Sequence, residues 1–279
     1  MNRERVEAVG VPEDSPAVVV DGVSLAYARE GRGPPVVCLH ATGHGGRDFE
    51  AFAAAVRDQF EVIRIDWPDQ GRSGRDHKPA SAARYSELLA GVLDALKVEH
   101  PILLGNSIGG AAALRCATVR PVQALVLCNT GGLIEVTPAI SRACNSMARF
   151  FDAGARGAWW FGTAFRAYYS FLVLPSAAAR DQRRRIVAAG YDLSNTLRDA
   201  WLSFGKPEAD VRATALQLDV PVWFAWATGD RVIQLKACMP TISKMKRATL
   251  TKFGGGHAAF LERPAAFAKA FKAFAAALG

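Results

Sequence analysis

Gly105-Asn106-Ser107-Ile108-Gly109 follows directly on the apolar run Ile102-Leu103-Leu104 and leads into Gly110-Ala111-Ala112-Ala113. A strand that turns at once into a helix holds its apex residue in strained backbone geometry, and so tight a turn admits only small residues two positions to either side. Here both positions are glycine, Gly105 and Gly109. The pattern predicts a buried strand, a helix from about Ile108 to Val119, and Ser107 exposed at the apex between them. Small side chains at the helix start let it lie close on a sheet, and its positive end faces any negative charge that develops beside Ser107. A serine in that position points to nucleophilic catalysis.

Such a serine needs a base, and the base needs an orienting acid. After an elbow of this kind the acid and then the histidine follow the serine in chain order. Pro221-Val222-Trp223-Phe224-Ala225-Trp226-Ala227 reads as a buried strand and runs into Thr228-Gly229-Asp230, so Asp230 falls just past a strand carboxyl end, on the edge of the sheet where active sites form. A rival acid position follows the preceding strand, Ala124 to Cys128, but holds Asn129, which is no carboxylate. Ala248 to Phe253 reads as the last strand, and the glycine loop Gly254-Gly255-Gly256 then delivers His257. Among the five histidines, His40 and His44 precede Ser107, His77 lies in a polar stretch and His100 sits before Pro101, which leaves His257 as the base.

The coarse order supports this placement. Strands are expected at Ala17–Val20, Val23–Tyr27, Val36–His40 and Glu61–Asp66, with helices near 48–58 and 82–96 and a closing helix over Pro264–Leu278. Alternating strands and helices predict an α/β fold built on a mostly parallel sheet covered on both faces. The rhythm breaks after Gly132. From about Leu133 to Arg212 the pattern is helical throughout, with helices expected at 140–152, 157–169, 177–189 and 193–204.

With these residues in view, the chain resembles the α/β-hydrolase superfamily over nearly its whole length. Val36-Val37-Cys38-Leu39-His40-Ala41-Thr42-Gly43 is similar to that family's strand and oxyanion loop, and Asp66-Trp67-Pro68-Asp69-Gln70-Gly71-Arg72-Ser73-Gly74 to its Asp-x-Pro-Gly-x-Gly-x-Ser segment. Two departures stand out. Ala41 replaces a glycine, although alanine resists positive φ, and Asp69-Gln70 replace glycine and histidine. The resemblance implies a doubly wound, mostly parallel eight-stranded sheet with a helical cap, the core being residues 1–132 and 213–279 and the cap 133–212. It also implies that the main-chain amides of Thr42 and Ile108 form the oxyanion hole, with His40 bracing their loop. Aromatic residues crowd the cap segment; Trp159 and Phe165, with Ala258 beside His257, are the side chains expected to contact substrate.

The activity expected is hydrolysis of a small to medium apolar ester or lactone through an acyl-enzyme, with Ser107, Asp230 and His257 catalytic and neither metal nor organic cofactor required. A serine at the elbow argues against the dehalogenases and epoxide hydrolases of the superfamily, which carry aspartate there. Gly-Asn-Ser-x-Gly-Gly also resembles the elbow of carbon–carbon bond hydrolases acting on vinylogous diketones. Those enzymes carry tryptophan after the catalytic histidine, where this chain has Ala258. A third reading is a ligand receptor that keeps the fold without turnover.

Composition sets outer bounds. With 279 residues and 50% hydrophobic content there is enough chain for one doubly wound core and a modest insertion. The net charge of +8 is spread along the chain without a nucleic-acid module, so no nucleic-acid partner is expected. The run Arg180-Asp181-Gln182-Arg183-Arg184-Arg185 reads as a solvated helix face. Five cysteines without metal-ligand or redox spacing, and no signal-like or membrane-spanning stretch, predict reduced thiols in a cytoplasmic protein that acts on a small molecule away from membranes. A homodimer stays open.

Overall fold

The strands form in the order expected and are β1 (Ala17–Val20), β2 (Val23–Gly31), β3 (Pro35–Leu39), β4 (Glu61–Ile65), β5 (Ile102–Asn106), β6 (Ala124–Cys128), β7 (Val222–Ala227) and β8 (Ala248–Phe253). This computed structural model describes residues 2–278; Met1 and Gly279, the outer ends of the expected core, lie outside the described residues. One eight-stranded sheet runs in the order β1-β2-β4-β3-β5-β6-β7-β8. β1 and β2 pair as an antiparallel hairpin, β2 joins β4 antiparallel, and every pairing from β4 onward is parallel. The fold is thus doubly wound and mostly parallel, and the central strands are buried on both faces, which is why they read as unbroken apolar runs.

Because side chains alternate along a strand, each central strand feeds two cores. Val36, Cys38, Leu104, Val126 and Trp223 point to one face, where the helices Glu50–Val56 and Pro264–Ala276 cover them with Phe52, Phe267 and Phe271. Val37, Leu39, Leu103, Leu127 and Phe224 point to the other, under the helices Ala82–Ala95, Ile108–Cys116 and Leu235–Ile242. All five cysteines are buried and free. Burial pushes the Cys116 thiol up to about 11 and that of Cys238 to about 12, so both stay protonated and inert at neutral pH.

Between β6 and β7 no strand intervenes. The segment holds the helices Pro138–Ala155, Phe161–Tyr168, Arg180–Ala188 and Gly190–Phe204, joined through a π-turn at Tyr169–Val173 and short 3₁₀ turns. Thr137 caps the first of these through its hydroxyl, with Pro138 at the position where a missing N–H costs nothing. Phe151, Phe161 and Phe165 form its interior, with Phe161 and Phe165 stacked at 5.2 Å. This insertion is tied to the core at Val173, whose carbonyl accepts the His257 amide at 2.7 Å. Glu262 strengthens the tie by accepting from the amides of both Gly256 and Ser176. No helix among the described residues is long and apolar enough to cross a membrane.

Candidate active site

Ser107 stands between β5 and its helix with φ 55° and ψ −117°, a conformation that a non-glycine residue adopts only under strain of roughly 1–3 kcal/mol. Its surroundings hold it there. The Ser107 amide donates to the Cys128 carbonyl, and its own carbonyl accepts from the amides of Gly110, Ala111 and Gly131. The flanking glycines are demanded by close approach: a Cβ at Gly105 would lie 2.5 Å from the Gly109 carbonyl oxygen, and one at Gly109 would lie 2.3 Å from that of Leu39.

Asp230 and His257 arrive from the ends of β7 and β8. His257 Nδ1 donates to Asp230 Oδ2 at 2.8 Å, and both side chains are almost wholly buried. Asp230 Oδ1 accepts from the amides of Val232 and Ile233 at 2.7 and 3.1 Å, so its carboxylate faces donors on every side. The Ser107 Oγ makes no hydrogen bond to a described residue. Ser107 and His257 instead meet on the wall of one cavity of about 800 Å³, mostly apolar, which lies between the sheet edge and the helical insertion.

Two residues that the sequence reading left without a role hold this pair. Asn129, at the rival acid position, has φ 43° and donates to Asp230 Oδ2 at 2.7 Å. Its other contacts are to the main chain of Ala227, where its Oδ1 accepts from the amide at 2.9 Å. Asn106, just before the nucleophile position, donates to the carbonyls of His257 and Cys128, each at 2.9 Å, and so ties the histidine loop to the elbow. Locally each shows only as a polar residue at the end of a core strand, its partner lying 151 and 101 positions away.

The loop after β3 carries Thr42, whose main-chain amide, like that of Ile108, makes no hydrogen bond to a described residue while both residues line the cavity. Positive φ falls at Gly43, at 81°, and not at Ala41, so alanine is tolerated there. Gln70 accepts from the Gly43 amide at 2.5 Å and donates to the Tyr85 hydroxyl at 2.9 Å, bracing the loop in place of the histidine it replaces. Asp69 takes up the left-handed conformation of the missing glycine, at φ 60°. His40 lies in the core. Its Nε2 accepts from the Trp67 amide at 2.9 Å, and its Nδ1 donates to the Ala41 carbonyl at 2.7 Å. Burial lowers its pKa to about 4, so it is a neutral brace for the loop.

A strand–elbow–helix with a histidine–carboxylate pair beside it is one of the most reused designs in proteins, and here the match extends to sequence: the model of the Alpha/beta hydrolase family matches residues 36–270. The chain belongs to the alpha/beta hydrolase family. An uncharacterized protein of Mycobacterium tuberculosis is 26% identical over 274 residues, covering 89% of this chain and 77% of that one. A 2-hydroxymuconate semialdehyde hydrolase of Pseudomonas sp. strain CF600 is 29% identical over 135 residues, 45% of this chain and 48% of its own length. Among solved structures, a thermophilic esterase from Thermogutta terrifontis superposes with a TM-score of 0.78 at 19% identity, covering 95% of this chain and 97% of its own.

In this hydrolase the three side chains expected at the substrate do not reach the cavity. Trp159, 90% exposed, stands on the outer surface of the insertion, in the turn before the helix Phe161–Tyr168. Phe165 is wholly buried inside the insertion between Phe161 and Tyr169, and Ala258 is wholly buried in the core behind His257. The cavity wall is made instead by Leu133, Ile140, Tyr168, Tyr169, Leu197 and Trp201, with Val232 and Ile233 from the loop after β7. Helical spacing does not say which stripe of each helix turns inward. Among the described residues, no group of three or more His, Cys, Asp or Glu side chains is placed to hold a metal ion.

Proposed function

We propose that this chain is a serine hydrolase that cleaves a small to medium apolar ester or lactone through an acyl-enzyme on Ser107. The observation that carries this reading is His257, hydrogen-bonded to the buried Asp230, sharing one cavity wall with the strained Ser107, beside the free amides of Thr42 and Ile108. Ser107 Oγ attacks the substrate carbonyl and passes its proton to His257 Nε2. Asp230 holds the Nδ1–H tautomer and stabilises the imidazolium. The amides of Thr42 and Ile108 receive the oxyanion, a contribution of about 3–4 kcal/mol for each donor in comparable sites. His257 then gives its proton to the leaving oxygen, and water repeats the attack on the acyl-enzyme.

The cavity's size and mostly apolar walls suit a compact acyl group under a roof formed by the insertion. Carbon–carbon bond hydrolysis ranks second. Asn106 and the partial likeness to a 2-hydroxymuconate semialdehyde hydrolase favour it. Against it, the residue after the histidine is a core alanine that contributes nothing to the cavity. Ser107→Ala tests the reading directly: ester turnover is expected to fall by several orders of magnitude with the thermal unfolding midpoint unchanged. Retention of a tenth of wild-type turnover would remove Ser107 from the mechanism, and a wild-type protein that turns over no ester yet binds acyl ligands would favour the receptor.

A further inference from the structure

His44 forms a second buried histidine–carboxylate pair on the same cavity, one that the proposed hydrolysis does not use. Its Nδ1 donates to Asp48 Oδ2 at 2.5 Å, and Asp48 Oδ1 accepts from Gln182, which reaches across from the helical insertion, also at 2.5 Å. All three side chains are buried. The contrast with His40 is informative. His40 spends both ring nitrogens on the protein, whereas His44, which lines the cavity, spends one and leaves Nε2 without a hydrogen bond to a described residue.

Beside it lies Tyr169. The two rings are 5.7 Å apart, and the Tyr169 hydroxyl sits against Gly43, 3.1 Å from where a Cβ on that glycine would be. That hydroxyl also makes no hydrogen bond to a described residue, and burial keeps it protonated, well above the ordinary phenol range. A buried pair fixed from both the core and the insertion, next to an unpartnered phenol, puts two residues with an unused polar atom each on the lining of a mostly apolar cavity. Desolvating such atoms without a partner costs about 1–3 kcal/mol each.

We propose that His44 Nε2 and the Tyr169 hydroxyl form a polar subsite that recognises a hydroxyl group carried on the acyl chain of the substrate. The chemistry selects a hydroxyl. With the Nδ1–H donated to Asp48, that tautomer of His44 presents Nε2 as an acceptor, while Tyr169 can donate. A hydroxyl donates to the first and accepts from the second. A ketone can only accept, and a methylene does neither. The subsite deepens the ester reading and rests on it for the reaction, though not for binding.

The test compares ethyl octanoate with its hydroxyoctanoate isomers and the matching oxooctanoates, reading the ratio of kcat/KM within each protein. In the wild type one hydroxy isomer is expected to exceed both the unsubstituted ester and its ketone by about tenfold. Tyr169→Phe, which preserves the ring, and His44→Phe are each expected to reduce that ratio to about threefold or less. The subsite is overturned if no hydroxy isomer is preferred by the wild type, or if the preference survives in both variants. Labelling of Ser107 by a small fluorophosphonate separates the two readings. If Ser107 proves unreactive and no ester turns over, calorimetric binding of hydroxyoctanoate against octanoate decides the subsite alone: a preference abolished by Tyr169→Phe upholds it, and equal binding sinks it. Thermal unfolding of each variant checks that it is folded.

Discussion

Asp230 receives four hydrogen bonds, from the Val232 and Ile233 amides, Asn129 Nδ2 and His257 Nδ1. Only one of these goes to the histidine, so the other three act as a mount that sets the angle of the carboxylate. Asp230→Asn should fold normally and lower kcat by on the order of 10⁴-fold, because the amide no longer selects the Nδ1–H tautomer. Asn129→Ala removes one leg of the mount and is expected to lower kcat roughly tenfold with little change in KM, the signature of an interaction that matters chiefly in the transition state. Steady-state kinetics on a p-nitrophenyl ester measures both, and an Asn129→Ala effect confined to KM would show that Asn129 does not position the acid.

At the scale of the element, the elbow and the insertion respond differently to change. Gly109→Ala drives a Cβ to within 2.3 Å of the Leu39 carbonyl oxygen, and neither the helix nor β3 can move without disturbing the sheet. A loss of about 1–3 kcal/mol or more is expected, read as a fall in the urea midpoint. Within the insertion, Phe165→Ala empties a buried position and should cost about 3–5 kcal/mol. Trp159→Ala, on the exposed turn, should change stability by no more than about 0.5 kcal/mol and leave acyl-chain preference as it was. A shift in the ratio of long to short esters on Trp159→Ala would mean that this turn folds over the cavity during turnover.

At the scale of the whole molecule, His40 couples stability to pH. Its folded-state pKa of about 4 lies below the ordinary 6.5, so the unfolded chain binds the extra proton across that window. Stability therefore rises with pH: the contribution is complete above about pH 6.5 and is lost as pH falls toward 4, with a span on the order of 3 kcal/mol. Urea denaturation of wild type and His40→Asn should show the variant less stable at pH 7.5 and the difference narrowing by pH 4.5. A constant difference across that range would assign the acid sensitivity to other groups.

Much of this architecture was legible in local pattern, because a parallel sheet buried on both faces must be written in short apolar runs such as Leu125-Val126-Leu127 and Trp223-Phe224-Ala225, and a tight elbow must be flanked by glycines. Those constraints act over a few residues and leave their mark in any one chain. Chain order then led from Ser107 to Asp230 and His257, and the structure joins the last two by a hydrogen bond on the cavity that Ser107 also lines. Contacts between distant segments leave no such mark. Asn106 meets His257 across 151 positions and Gln182 meets Asp48 across 134, and nothing near either residue announces its partner. For the same reason Trp159 and Phe165 read alike as helix aromatics, yet one faces solvent and the other a packed interior. Which side of a helix becomes a cavity wall depends on the surfaces it packs against, so the roof over Ser107 was decided only when the insertion met the sheet.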